Sequence, residues 1–282
     1  MTEKEWNILN QPFEYKITED LHLLLFPNTH PGNLEIAALQ KGIVIQYHGK
    51  EVVEEGIGFG VPVVKYTDEV YFSTSAESFV FDTTENVIWM KSYILDAVSR
   101  KRIGDGPLIN EGLYSLLHKG FEKLYLNYSG GRSLFDAIMK LRRSLKINTY
   151  FVKVEPKGKI NITYTLESGT LKIKMGVQNL KRSGCEEILV LNEQGANFFR
   201  KYMDTSNLEL FDRGIGAWDM VEAKEASLCN LEETFGFSLE KKEGVKLYRG
   251  WESVDNGISW TGFCYSLPPK TSNFDYTIRL MR

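Results

Sequence analysis

The sequence has few of the residues that build metal centres and disulfide frameworks. Its 282 residues include three cysteines and four histidines, and none of them shows C-x-x-C, H-x-H or H-x-x-x-H spacing. Disulfide-stapled domains carry a denser, even set of cysteines, and structural zinc needs closely spaced ligands. We therefore expect no metal, no cofactor, and a reducing, cytoplasmic environment in which the thiols stay free.

Long apolar runs and an excess of one charge are also missing. No run approaches the roughly 20 apolar residues that a transmembrane helix needs, and residues 1–10 lack the apolar core of a signal peptide. The formal net charge is −3, so no basic field favours nucleic acid or an anionic membrane surface. We expect a soluble globular protein whose partners include neither nucleic acid nor a membrane.

Alternation of apolar and polar residues with a period of two dominates the chain. Because side chains alternate between the two faces of a strand, such runs predict β-strands with one buried face. The clearest instance is a hairpin with a turn at 167–170, whose apolar positions are Ile160, Ile162, Tyr164, Leu166, Leu171, Ile173, Met175 and Val177. Related patterns predict hairpins over 234–252 and 43–53, and further strands near 21–26, 34–39, 70–74, 78–81, 87–90, 188–191, 258–267 and 274–281.

These short strands predict a mainly β fold, a large antiparallel β-sandwich that spans residues 1–282 as a single domain. Aromatic residues make up 12% of the chain and also favour strands. One region differs, because apolar residues repeat at helical spacing after the N-cap Ser133, at Leu134, Ile138, Leu141 and Leu145. With a shorter helix over 110–119, this repeat predicts a small helical insertion at about residues 105–147.

The glycines Gly56, Gly58 and Gly60 form a string of the kind that cradles phosphate. A dinucleotide site needs a helix after such a string, whereas the residues that follow, 61–64, have the composition of a strand. The string therefore predicts a sharp β-turn or a bulge between strands.

Three segments of the C-terminal half occur in a distinctive order. The sequence NITYTLESGTLKIKMGVQNL at 161–180 contains a strand, a polar turn and a strand that ends in a V-x-N element, and ILVLNEQGANFF and FDYTIRL follow. Over about residues 150–282 this order resembles the galactose-mutarotase-like β-supersandwich superfamily. The resemblance implies a carbohydrate-related function. It does not carry over epimerase chemistry, because the family's epimerases use histidines and this half of the chain has none.

Two Gly-flanked segments, 214–219 and 248–252, combine aromatic and acidic residues, and a further tryptophan lies in the next predicted strand. Indole faces stack on the apolar faces of sugars, and two carboxylates across a cleft can act on a glycosidic bond. The pattern thus predicts a carbohydrate ligand. The candidate catalytic residues are Asp219, Glu252 and Arg249, and the candidate substrate-binding residues are Trp218, Trp251, Trp260 and Glu193.

The same residues also fit a purely structural role. Tryptophans are common in cores, the charged residues could form a surface ion-pair set, and Glu193 lies in a polar cluster typical of turns. Two classes of function therefore stay open: a carbohydrate-binding or carbohydrate-active protein, and a non-catalytic interaction or structural module. The first predicts acids with perturbed pKa values that converge, and the second predicts an exposed apolar patch.

The missing ligand spacings generate a first prediction. Because we expect no structural metal or disulfide to contribute to folding, neither a chelator nor a thiol reductant should lower the Tm by more than about 2 °C. Thermal unfolding followed by circular dichroism with and without each reagent measures this. A large drop with chelator alone would reveal a metal site that the spacings do not show.

Overall fold

The computed structural model describes residues 12–27, 41–47, 50–51, 57–82, 86–103, 147–167, 170–253 and 259–281. Within these ranges the chain forms nineteen β-strands and one 3₁₀ helix at Asp212–Ile215, and no α-helix. The described residues contain no helix that is long and apolar enough to cross a membrane. The strands are β1 Phe13–Lys16, β2 Leu21–Leu25, β3 Ile43–Tyr47, β4 Lys50–Glu51, β5 Gly58–Tyr66, β6 Val70–Asp82, β7 Val87–Ile103, β8 Ile147–Lys153, β9 Lys159–Glu167, β10 Thr170–Gln178, β11 Cys185–Gly195, β12 Lys201–Asp204, β13 Glu209–Phe211, β14 Ala217–Met220, β15 Glu225–Cys229, β16 Gly236–Glu240, β17 Lys246–Ser253, β18 Ser259–Leu267 and β19 Asn273–Met281.

The chain divides into two compact units, one of residues 1–98 with 153–282 and one of residues 99–152. In the smaller unit the described residues, 99–103 and 147–152, are strand. Residues 105–146 of the predicted helical insertion lie outside the described residues, as does the predicted strand at 34–39. All that follows concerns the larger unit.

Every strand pairing described in the larger unit is antiparallel, and the pairings define two layers. Layer A has the order β13-β12-β15-β16-β19-β10-β9-β7-β6. Layer B has the order β14-β17-β18-β11-β5-β3-β2-β1. The start of β6 also pairs with the end of β5, so the two layers are continuous there. The predicted mainly β, antiparallel sandwich is confirmed.

Aromatic side chains fill the space between the layers. The hydroxyl of Tyr164 in layer A donates to the carbonyl oxygens of Phe59 and Gly60 in layer B, at 3.1 and 3.0 Å. The ring centroid of Phe237 lies 4.9 Å from that of Phe59, and the Tyr265 and Tyr276 centroids are also 4.9 Å apart. All of these side chains are buried, so apolar burial and satisfied hydroxyls together hold the layers.

The predicted hairpin over 160–177 is confirmed. Strands β9 and β10 pair with Leu166 opposite Leu171, and burial alternates along both strands. The buried positions are the apolar ones that face layer B, which is the physical reason for the period of two.

The predicted hairpin over 234–252 is wrong. Strand β16 pairs with β15 and β19 in layer A, whereas β17 pairs with β14 and β18 in layer B. The turn at Gly244 therefore carries the chain from one layer to the other. Leu239 and Leu247 are both buried, one on each side of the core. Alternation identifies each strand and its buried face, but it does not determine which strand is the partner.

Other strands are longer than their sequence patterns suggest. Strand β6 covers both short strands predicted at 70–74 and 78–81, and β7 extends well beyond the predicted 87–90. The hairpin predicted at 43–53 is present as β3 and β4, with Tyr47 opposite Lys50, and residues 52–53 lie outside the described residues.

Two glycines of the string, Gly58 and Gly60, lie among the described residues and form the expected irregularity. Gly58 and Gly60 have φ values of +83° and +75°, in the region that favours glycine. The β5–β11 register shifts there, since Leu191 pairs with Val61 and Asn192 pairs with Phe59. The extra residue is Gly60, which makes the feature a β-bulge.

A substitution in this bulge tests its packing. A Cβ on Gly60 would lie 2.8 Å from the hydroxyl oxygen of Tyr164, whereas a Cβ on Gly244, also at positive φ, would meet nothing within 4 Å. Gly60→Ala should therefore lower the free energy of unfolding by about 2–4 kcal/mol, from strain plus overpacking. The matched control Gly244→Ala should cost only about 1–2 kcal/mol. Equal costs in urea unfolding would contradict this account of the bulge.

Candidate functional site

Glu193 lies on the surface of layer B that is turned away from layer A, called here the outer face. Its neighbour Asn192 points towards layer A, where its Oδ1 accepts a hydrogen bond from the Tyr276 hydroxyl at 2.7 Å. Because successive side chains of a strand alternate, Glu193 points the other way. The residues opposite it in the ladder are Gly58 on β5 and Gly262 on β18.

The carboxyl group of Glu193 is withdrawn from water although it is on the outer face. The residue is 3% exposed. Burial raises the pKa of this carboxyl group well above its usual range, and the charge of Glu252 raises it further. Among the described residues, none donates a hydrogen bond to this carboxyl group. Residues 192–195 belong to β11, so their interpretation as a turn is wrong.

Glu252 is held on the same face by the indole of Trp218. The Nε1–H of Trp218 donates to the Oε1 atom of Glu252. Trp218 is the extra residue of a bulge in the β14–β17 ladder and has a φ of +68°. Its ring covers Gly250, where a Cβ would lie 2.7 Å from the nearest ring atom.

Trp260 completes a group of four residues on the outer face. It pairs with Glu252 on β17 and with Gly195 on β11, and paired residues share a face. The structure thus places Glu193, Glu252, Trp218 and Trp260 on one surface of four neighbouring strands, β11, β17, β14 and β18. Both tryptophans are partly buried.

Arg249 and Trp251 lie on the opposite face of β17. The Arg249 guanidinium lies 5.0 Å from the ring centroid of Tyr202, a layer A residue, and its Nη1 donates to the Met220 carbonyl at 3.1 Å. Trp251 shares this face because it is two residues from Arg249 in the same strand. The site predicted from sequence is therefore divided between two faces.

Asp219 is associated with Arg249 and not with Glu252. Its Oδ2 lies 3.9 Å from Arg249 Nη2, and its side chain is 44% exposed. The ion-pair interpretation of these charged residues therefore describes Asp219 and Arg249, whereas Glu252 has the indole of Trp218 as a partner.

Cys264 is a neighbour of the site that the sequence patterns missed. Its thiol is buried, and burial with the charges of Glu193 and Glu187 raises its pKa, so it is an un-ionised thiol. Extending the period-two pattern of 188–191 through residue 195 would have placed Glu193 on the face opposite the core. The same rule would have separated Arg249 from Glu252.

Two carboxyl groups in unequal surroundings are the chemical feature of this face. Glu193 keeps its proton to a higher pH than an ordinary glutamate, because a charged form would be both desolvated and repelled by Glu252. Glu252 accepts an N–H hydrogen bond, which favours its charged form. Such a pair can supply a proton from one side and a negative charge from the other.

Two other features of the described chain do not form this kind of site. A cleft of about 790 Å³ lies around the β16–β17 turn and is lined by surface lysines and glutamates such as Lys224, Glu240 and Lys242. These groups are solvated or paired with one another, and none is a buried acid. No three His, Cys, Asp or Glu side chains of the described residues are grouped as metal ligands.

Among the comparisons with known proteins, only the search of solved structures returned matches. No family model matches the sequence, and no curated protein matches it. An alpha-N-acetylgalactosaminidase, NagBb from Bifidobacterium bifidum, matches 95% of this chain with a TM-score of 0.49 and 6% identity. An alpha-mannosidase from Enterococcus faecalis V583 matches 97% of it with a TM-score of 0.45 and 10% identity. This chain covers 36% and 29% of those two chains.

A third similar structure has the length of this chain. The Slr1438 protein from Synechocystis sp. PCC 6803 matches 96% of this chain and is 94% covered by it, with a TM-score of 0.38 and 8% identity. The two longer structures are carbohydrate-active enzymes by their names, and this chain spans about a third of their length.

The buried acid predicts how stability changes with pH. The folded pKa of Glu193 lies above its unfolded value of about 4.3, so the unfolded state releases this proton first. This group therefore contributes stability at low pH that is lost as pH rises from about 4.3 towards the folded pKa. Glu193→Gln removes that loss. The free energy of unfolding of the variant, relative to that of the parent, should therefore rise by up to about 1.4 kcal/mol per pH unit across this window.

Urea unfolding of parent and variant at successive pH values measures the gain. Glu243→Gln, which changes an exposed carboxylate in the β16–β17 turn, is the matched control and should follow the parent. A constant difference between the Glu193→Gln variant and the parent from pH 4 to 8 would refute a raised pKa.

Proposed function

We propose that this protein is a carbohydrate-binding or carbohydrate-active protein, and that the outer face of layer B carries its site. The observation that supports this most directly is that a buried glutamate with a raised pKa, Glu193, shares this face with Glu252, which accepts a hydrogen bond from the Trp218 indole. The antiparallel two-layer architecture is compatible with the sequence's resemblance to the galactose-mutarotase-like superfamily, to which we assign the fold.

The two carboxyl groups have complementary roles in the proposed chemistry. Glu193 is the general acid, which donates its proton to the leaving oxygen of a glycosidic bond. Glu252 is the carboxylate that activates water or attacks the anomeric carbon. The burial that raises the Glu193 pKa serves this role, because an ordinary glutamate would already be ionised at neutral pH.

Trp260 on the same face supplies a surface for binding. A sugar ring buries its apolar face against an indole, and Trp260 lies directly beside Glu252 in the ladder. The two residues that pair with Glu193, Gly58 and Gly262, have no side chains that could lie between its carboxyl group and a ligand. A saccharide that stacks on Trp260 would thus have its polar edge near the acids.

This assignment changes the roles suggested by sequence for three residues. Arg249 and Trp251 lie on the core side of β17, and Asp219 is paired with Arg249. We propose that these three residues stabilise β17 and do not contact the ligand.

A protein-interaction module is the second candidate, and one observation favours it. Phe79 and Phe81 on β6 are 59% and 54% exposed, and Met90, opposite Phe79 on β7, is 42% exposed. Exposed apolar side chains in neighbouring strands are typical of docking surfaces. This function predicts no response to any sugar.

A saccharide panel tests the first proposal. Neutral and acidic oligosaccharides should change the tryptophan fluorescence of the parent saturably, because a stacked sugar excludes water from the indole. Trp260→Ala should weaken binding by about 1–3 kcal/mol. In contrast, Trp251→Phe, on the core side, should retain binding and lose some stability.

Turnover of any hydrolysed member of the panel tests the acid/base assignment. Glu193→Gln and Glu252→Gln should each lower kcat by about 10²–10⁴-fold with little loss of binding, whereas Asp219→Asn should behave like the parent. If no saccharide binds, or if both Gln variants turn over normally, the proposed function is wrong.

A further inference from the structure

The conformation of Trp218 is costly, and the structure shows what it achieves. A φ of +68° is rare for a bulky residue and is strained relative to the usual conformations. It occurs at the one extra residue of the β14–β17 bulge, between Ala217 opposite Gly250 and Asp219 opposite Arg249. Bulges of this kind redirect a side chain. Here the side chain is an indole that reaches across to β17.

Gly250 provides the space for that indole. A Cβ at this position would lie 2.7–2.9 Å from three atoms of the Trp218 ring, so only glycine allows the ring to lie against the β17 backbone. With the ring in this position, its N–H reaches the carboxylate of Glu252, two residues further along the same strand. The strained backbone of Trp218 and the glycine at position 250 thus both allow the hydrogen bond between the indole and Glu252.

We propose that Trp218 is a positioning residue, whose indole fixes the carboxylate of Glu252 beside Glu193 and so keeps the acid and the base of the site distinct. This inference rests on the proposed function, and it gives Trp218 a role other than the sugar-stacking role suggested by its type. The indole N–H stabilises the charged form of Glu252. That charge in turn disfavours ionisation of Glu193.

The other titratable groups around the pair do not replace this contact. On β18 the nearest is the Cys264 thiol, which is itself kept neutral. On β17, Tyr248 lies on the same face as Glu252, opposite Cys264, whereas Arg249 pairs with Asp219 of β14 on the other side of the strand. Trp218 hydrogen-bonds to Glu252, and the charge of Glu252 raises the pKa of Glu193, so the indole acts on the Glu193 proton through Glu252.

Site-resolved titration of Glu193 tests the proposal without a substrate. Glutamates labelled with carbon-13 at the carboxyl position are titrated by NMR, and Glu193→Gln identifies the Glu193 signal. In Trp218→Phe the measured pKa of Glu193 should fall towards its ordinary value, because Glu252 loses the indole hydrogen bond that favours its charged form. Gly250→Ala, which displaces the ring but keeps the indole, should produce the same direction of change.

Trp260→Phe is the matched control for this titration. It removes an indole from the same face but no described hydrogen bond to Glu252, so the measured pKa of Glu193 should stay at the parental value. An unchanged Glu193 pKa in folded Trp218→Phe and Gly250→Ala overturns the proposal. So does failure of both variants to fold, since Trp218 would then be a core residue.

Kinetics separate this proposal from the function on which it rests. With a hydrolysed saccharide, Trp218→Phe should lower kcat by about 10- to 100-fold, as loss of a supporting contact does, with KM little changed. The rate should fall at high pH as Glu193 loses its proton, and this fall should occur at a lower pH in Trp218→Phe than in the parent. If Glu252→Gln lowers kcat and Trp218→Phe does not, only the positioning role fails. If neither does, the catalytic role of Glu252 fails as well, and if Glu193→Gln also turns over normally, the proposed function is wrong.

Discussion

The side-chain amide of Asn192 joins the two layers at the point on which the site depends. Its Oδ1 accepts hydrogen bonds from the Tyr276 hydroxyl of layer A at 2.7 Å and from the Gly60 amide of the β5 bulge at 3.1 Å, while its Nδ2 donates to the Val190 carbonyl at 3.2 Å. A buried amide is stable only when its polar atoms are satisfied. Asn192 therefore fixes the orientation of β11, and with it the direction in which Glu193 points.

The core and the site are consequently two sides of the same strands. Each strand of β11, β18 and β17 contributes large aromatic or polar residues to the space between the layers and the site residues to the outer face. The core side carries the free energy of burial, and this allows the outer face to hold features that cost free energy, such as a desolvated acid and a tryptophan at positive φ. The unfavourable features are concentrated where we place the chemistry.

Much of the fold followed from sequence because burial imposes a period of two. The hairpin at 160–177, the bulge at the glycine string and the antiparallel sandwich could all be predicted, since each depends on local alternation or on glycine. The partner of a strand could not, because an alternating run can pack in either layer. This is why β16 and β17, adjacent in sequence and both apolar, were wrongly paired with each other.

The site was predicted in part, for the same physical reason. Composition drew attention to Trp218 and Glu252, which the structure joins by a hydrogen bond. Residue parity places Arg249 and Trp251 in the same period-two series as the core residue Leu247, on the face opposite to Glu252. Glu193 looked like a turn residue because glycine and amides surround it, although burial of its neighbours between the layers keeps the strand extended. Desolvation of its carboxyl group depends on distant strands and has no local signature.

The crossing of the chain between layers at Gly244 has a consequence for the way this protein folds. Neighbouring segments such as β16 and β17 are separated into different layers, and many native contacts join distant segments: Lys65 and Glu187 are 122 positions apart, and Tyr164 and Phe59 are 105 apart. A chain with such high contact order must close long loops before its contacts can stabilise it, so it folds slowly. During that time its apolar strands are exposed, so aggregation competes with the folding of this sandwich.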